Sequence, residues 1–208
     1  MTKVLHSTFK SSFRIFLAGL VCSFFSFSAS AQGFKPDGYS FSLKGGFYDD
    51  INAGAGIAGG YELSLRNKGF QYTLDYISAG EIIGGKSPDE RFRQINLLFG
   101  KSIDFQQDKV RYIYQAGLSA FWGFERGDLI SQSLVPEEPI YNTNYYESDK
   151  FFTAGLVMKF EAQFLATKWV SLGASLETNI NPKKIIYMPM LNLQIGKIRP
   201  SYRQKKTN

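Results

Sequence analysis

Histidine and cysteine, the side chains that most often serve as general bases, thiol nucleophiles and zinc ligands, occur once each, as His6 and Cys22. Both lie in the first 31 residues, in a segment with the three parts of a secretory leader. Lys3, His6, Lys10 and Arg14 form a positive start, an apolar run extends from Ile15 to Phe27, and Ala29-Ser30-Ala31 precedes Gln32 as a small-residue cleavage site. Gly19-Leu20-Val21 lacks the pattern expected before a lipid-modified cysteine, so ordinary cleavage after Ala31 is expected. The apolar run is too short for a spanning helix, which needs about 20 residues. With residues 1–31 removed, no Ser-His-Asp arrangement, thiol chemistry, disulfide or His/Cys zinc site can be assembled. Glu137-Glu138 could meet calcium, but a bare carboxylate pair is ordinarily solvated. Gly45-Gly46 and Gly59-Gly60 do not make a phosphate-binding loop. No cofactor and no enzymatic activity are expected.

The remaining chemistry lies in charges at particular strand positions. Apolar and polar residues alternate with period two through most of the chain, the pattern of half-buried strands. Tyr39, Phe41, Leu43 and Phe47 oppose Ser40, Ser42 and Lys44 in 39–47. The same alternation runs through 57–66, 70–77, 110–125, 152–164, 169–179 and 187–198. In 92–105 it is less clean: Arg93 and Lys101 share the apolar face, which fits either basic side chains reaching an interface or a bulge that changes register. Pro189, lacking a donor, is expected near the start of the last strand or at a bulge. Eight strands result. The connections at Asn67-Lys68-Gly69, Gln106-Gln107-Asp108 and Ala166-Thr167-Lys168 are short, while 79–91 and 126–150 are long.

Short turns at one end and longer loops at the other are the plan of an up-and-down outer-membrane barrel, with both termini on the periplasmic side. A soluble lipocalin-like barrel also alternates, but with its apolar face inward. Here the apolar face carries bulky aromatics, and aromatic residues make up 16% of the chain. The opposite face is rich in Gly, Ser, Thr and Gln, which suits a narrow eight-stranded interior. The sequence therefore predicts an all-β, eight-stranded antiparallel transmembrane barrel over 32–198, in the outer membrane of a Gram-negative bacterium and in contact with its lipid. A basic tail at 199–208 is expected to lie in the periplasm.

This facing predicts an interior charge network of Lys44, Glu62, Arg66, Asp75, Arg111, Glu125, Lys159, Glu161 and Glu177. Mixed signs favour a salt-bridged plug over a gated pore or a proton-linked site, because an isolated buried charge is costly. The net charge of +6 is half supplied by Lys3, Lys10 and Arg14, and the rest forms no concentrated basic patch, so no direct nucleic-acid binding is expected. Loop 126–150 exceeds an ordinary connection and is the candidate protein-interaction segment. Tyr141, Asn142, Asn144, Tyr145 and Tyr146 supply its adaptable recognition chemistry.

From Gly117-Leu118-Ser119-Ala120 and Gly123-Phe124-Glu125 onward, through Asp149-Lys150-Phe151, Glu161, Phe164 and the apolar strand after Lys168, the chain resembles the TraO family of conjugative-transposon outer-membrane proteins. The resemblance covers the C-terminal half and implies a non-enzymatic part in conjugal DNA transfer. A structural or interaction barrel is one functional class consistent with these features. A narrow pore or a ligand-binding barrel is the other.

Overall fold

The computed structural model describes residues 36–50, 54–82, 86–87, 89–105, 109–133 and 143–198. The expected leader with Ala29, Ala31 and Gln32, and the tail 199–208, lie outside the described residues.

Alternation of bulky and small side chains produces the wall strands β1 (Gly38–Asp50), β2 (Gly54–Asn67), β3 (Phe70–Glu81), β5 (Arg91–Phe105), β6 (Val110–Ser133), β7 (Thr143–Phe164), β8 (Val170–Ile180) and β9 (Ile185–Lys197). A two-residue segment, β4 (Lys86–Ser87), runs parallel to β7. The eight long strands pair antiparallel with their neighbours, β7 pairs β8, and β1 pairs β9. Every wall strand thus has two partners, closing a ring that satisfies the backbone within the wall. The structure is the predicted eight-stranded up-and-down barrel.

The β2–β3 turn shows how local sequence sets register. Asn67 pairs with Phe70, leaving Lys68 and Gly69 as a two-residue loop, both with positive φ (51° and 81°). That geometry matches the twist of the flanking strands. The Asp37 carboxylate accepts the Lys68 amide hydrogen at 3.0 Å, which offsets part of the cost of a left-handed lysine.

Three details of the sequence reading are corrected or resolved. The stretch 126–150 is not an open loop. β6 continues to Ser133 and β7 begins at Thr143, so both strands run past the wall as a paired ribbon. Period-two reading failed there because the pairing slips between Arg126 and Leu129 and again between Leu129 and Ser131. Asn144, Tyr145 and Tyr146 are therefore strand positions, while Tyr141 and Asn142 lie outside the described residues. In β5 no register shift interrupts pairing to β3 or β6, and Arg93 and Lys101 both face outward near opposite ends. Pro189 is the fifth residue of β9 and faces outward. The β1–β9 ladder skips Phe47 and Tyr48, then resumes in the same register at Asp49 and Tyr187, so the missing donor is absorbed without a bulge.

Outward-facing Leu118, Leu156, Leu191 and Phe160 are more than half exposed, whereas Lys44, Glu62, Asp75 and Glu177 are buried. A soluble carrier would reverse this arrangement. The apolar exterior belongs in lipid, and the protein is a β-barrel of the Gram-negative outer membrane.

Candidate functional site: the barrel interior and its mouth

Strand alternation brings Lys44 (β1), Glu62 (β2), Asp75 (β3), Lys159 and Glu161 (β7), and Glu177 (β8) to the same level of the interior. The Lys44 ammonium lies 2.9 Å from carboxylate oxygens of both Glu62 and Asp75, and it also donates to Glu177. Lys159 bridges Glu62 and Glu161, the latter at 2.6 Å. The outer hydrogen-bonding shell is neutral: Ser64 donates to Glu62 at 2.7 Å, Asn96 to Asp75 at 3.0 Å, and Gln163 to Glu161 at 2.8 Å. Charged groups can stay buried here because each is held by an opposite charge and by polar neighbours. Glu62, Asp75 and Glu177 present oxygens within 4.8 Å of one another, close enough to hold a cation, and the Lys44 ammonium is bonded to all three.

Arg66 and Arg111 form a second group near the short turns. Arg66 meets Asp37 at 2.9 Å and Asp104 at 3.3 Å. Arg111 reaches Asp104 and donates to the Ile198 carbonyl at 2.9 Å. Glu125 belongs to neither group. It stands at the loop-side rim and pairs with Lys183. The nine charges predicted for one interior network are thus distributed over three levels.

The sequence reading missed the apolar plug between the central charges and the mouth. Tyr48, Phe92 and Phe121 are buried with Ile77, Ile186, Met188 and Met190. Ring centroids step from Tyr48 to Phe92 (4.9 Å), Phe121 (5.0 Å) and Phe151 (5.2 Å), crossing from β1 to β7. Parity alone marks these positions, since Phe121 follows inward Ser119 by two residues and Met190 precedes inward Asn192 by two. Above the plug, Arg126 pairs with Glu81 at 3.1 Å, and Lys184 joins Asp50 at 3.1 Å and Glu90. Burial alone would lower the Lys184 pKa, but its bonds to Glu90 and Asp50 raise it above the ordinary lysine value. The Arg126 guanidinium is likewise held above its ordinary value, chiefly by its hydrogen bond to Glu81 and against the cost of partial burial.

A partly open pocket beside Arg66, Gln71 and Arg111 leaves about 10 Å³, room for roughly one water. The interior around it is tightly filled, although Ser42 Oγ, Gln115 Oε1 and Asn192 Nδ2 are buried without a hydrogen-bond partner among the described residues.

No protein-family model matches the chain, and no curated protein does. Solved structures give the fold. Neisserial surface protein A is similar with a TM-score of 0.56 at 14% identity, over 76% of this chain and 96% of that one. The attachment invasion locus protein Ail of Yersinia pestis gives 0.52 at 10% identity, over 78% and 99%. A second structure of Ail, in complex with the heparin analogue sucrose octasulfate, gives 0.51 at 11% identity, over 76% and 97%.

Proposed function

We propose that this barrel is a non-enzymatic interaction protein that presents the β6–β7 ribbon to a protein partner outside the cell. The carrying observation is the continuation of paired backbone beyond the wall. β5 stops pairing β6 at Phe124, and β8 stops pairing β7 at Leu156, while β6 and β7 stay paired to Ser133 and Thr143. Above those points the outer edge of β6 carries no strand among the described residues, while that of β7 carries only the short β4 at Asn144 and Tyr145, an arrangement suited to strand addition by a partner. Leu129 and Ile130 are exposed on the ribbon, at 53% and 69%. The central ion pairs and the apolar plug fill the interior, which argues against a pore, and the proposed cleavage after Ala31 would remove His6, the usual general base. The part in conjugal transfer implied by the TraO resemblance is one setting for such a surface protein.

Replacing 127–147 by a short turn removes the ribbon and leaves the wall pairing intact. The shortened barrel is expected to keep its boiling-dependent gel shift, and in the full-length barrel a photoreactive residue at Ile130 is expected to capture a protein partner that the same residue at lipid-facing Leu118 does not. Unchanged crosslinking elsewhere on the barrel, together with an unaltered phenotype in transfer assays, would remove the ribbon from the function. Reproducible single-channel conductance abolished by Arg111→Ala would favour the pore.

A further inference from the structure

The outward wall is apolar at most strand positions, and among its exceptions the loop-end cations are grouped. At the loop end, the outward cations Arg91, Arg93 and Lys150 all lie on β5 and β7, the two strands flanking β6. Register fixes their arrangement. Arg91 pairs with Phe124, which pairs with Lys150; one step down the wall, Arg93 pairs with Trp122, which pairs with Phe152. Arg91 and Lys150 thus stand two strand spacings apart, about 10 Å, across an aromatic shelf. The Lys150 ammonium lies 5.6 Å from the Phe124 ring centre.

Their ion pairing is weak. Arg91 approaches Asp89 at 3.5 Å, with both side chains largely exposed. Among the described residues, neither Arg93 nor Lys150 has a carboxylate within ion-pair distance. The neighbouring acid Asp149 belongs to the opposite face of β7 by strand alternation, and outward Asp49 lies on β1, elsewhere around the ring. Below the shelf, Ile95, Ala120 and Ala154 form the next row, where two small side chains leave a shallow trough in an otherwise bulky wall.

Cations above an aromatic shelf and an apolar trough match a lipid with phosphate at its head and several chains below. We propose that this sector of β5–β7 binds the phosphorylated glucosamine headgroup of the outer-leaflet glycolipid, with Arg93 and Lys150 meeting phosphate and acyl chains lying over Ala120 and Ala154. Guanidinium groups suit phosphate because they offer paired donors, and such charge-assisted bonds strengthen at a low-dielectric interface. The site rests on the loop end facing outward, as the barrel plan requires.

The test uses the folded barrel in detergent, titrated with bisphosphorylated lipid A and with chemically dephosphorylated lipid A, and read by native mass spectrometry. Each cation removed is expected to weaken phosphorylated-lipid binding about tenfold, and Arg93→Gln with Lys150→Gln about a hundredfold. Dephosphorylated lipid should bind wild type as weakly as phosphorylated lipid binds the double variant. Lys101→Gln, at the turn end of the same wall, should bind like wild type. All three positions face outward, so the gel shift is expected to survive; if the double variant fails to fold, Lys150→Gln alone is read against its tenfold expectation. Equal binding by the folded variant and wild type, or equal loss with Lys101→Gln, would overturn the proposal.

Discussion

The two halves of the barrel interior are filled by different physics. On the turn side of the midplane, Lys44, Lys159, Arg66 and Arg111 are interleaved with carboxylates and amides, and stability depends on every charge having its partner. On the loop side, Tyr48, Phe92, Phe121 and the two methionines fill the cross-section chiefly by apolar packing, beside a neutral network of Gln94, Asn179 and Ser119. The difference teaches that a closed eight-stranded wall needs its interior filled without dictating the chemistry of the filling. Ion pairs fix a unique geometry at the cost of desolvation, whereas rings and thioethers tolerate exchange of shape.

The sharpest way to break this contrast is to remove one charge. Lys44→Met leaves Glu62, Asp75 and Glu177 facing one another without the ammonium that joins them. A loss of about 3–5 kcal/mol is expected, enough to abolish refolding into vesicles or shift the urea midpoint strongly downward. Unfolding followed by the gel shift measures it, and an unchanged midpoint would mean that the charges are not coupled as the geometry indicates. In the apolar half, Phe121→Ala opens a cavity and should cost about 3 kcal/mol. Phe121→Met should cost less than about 1.5 kcal/mol because volume is nearly kept. No replacement for Lys44 should be as mild as that methionine.

Which half was legible in the sequence follows from what alternation encodes. Charged residues on the less apolar face announce themselves: eight of the nine named positions are buried, while Glu125 stands at the rim. The plug did not: inward Phe121 sits beside outward Trp122 and inward Ile77 beside outward Tyr76, where periodicity cannot rank two apolar neighbours, and inward Phe92 lies between outward Arg91 and Arg93, which inverts the expected polarity. The ribbon escaped for a different reason. Its strands slip register near Arg126 and Leu129, and beyond the wall no lipid face enforces alternation. The rim pairs Lys184–Glu90 and Arg126–Glu81 join residues far apart in sequence, and only closure of the ring brings them together.

The wall itself offers a smaller test, since both fillings depend on strands that approach closely. Inward Gly117 lies against β5, where an added Cβ would fall 1.9 Å from the Leu97 carbonyl oxygen. Gly117→Ala should therefore cost about 1–3 kcal/mol as the strands part. Outward Gly45 has nothing within 4 Å of the same notional atom, so Gly45→Ala should be neutral within about 0.5 kcal/mol. Equal effects at the two sites would mean that strand propensity, not close approach, selects glycine in this wall.

The smallest effect is expected at the rim, where ion pairs again appear but water is near. Lys184 bridges Asp50 and Glu90 above the apolar plug. Lys184→Met should cost about 1 kcal/mol at neutral pH, well below Lys44→Met, because partial solvation weakens the pairs. The raised pKa fixes the sign of the pH dependence. A lysine more basic in the folded state contributes its full stabilisation below the ordinary value of 10.5, and loses it as pH rises through the higher folded value. The stability difference between wild type and Lys184→Met should accordingly be constant from pH 7 to about 10 and shrink above that. Taking the difference removes the titration of all other groups common to both proteins. A gap that widened with pH would show that Lys184 is held against its preference, and that the rim behaves like the desolvated centre rather than like the surface.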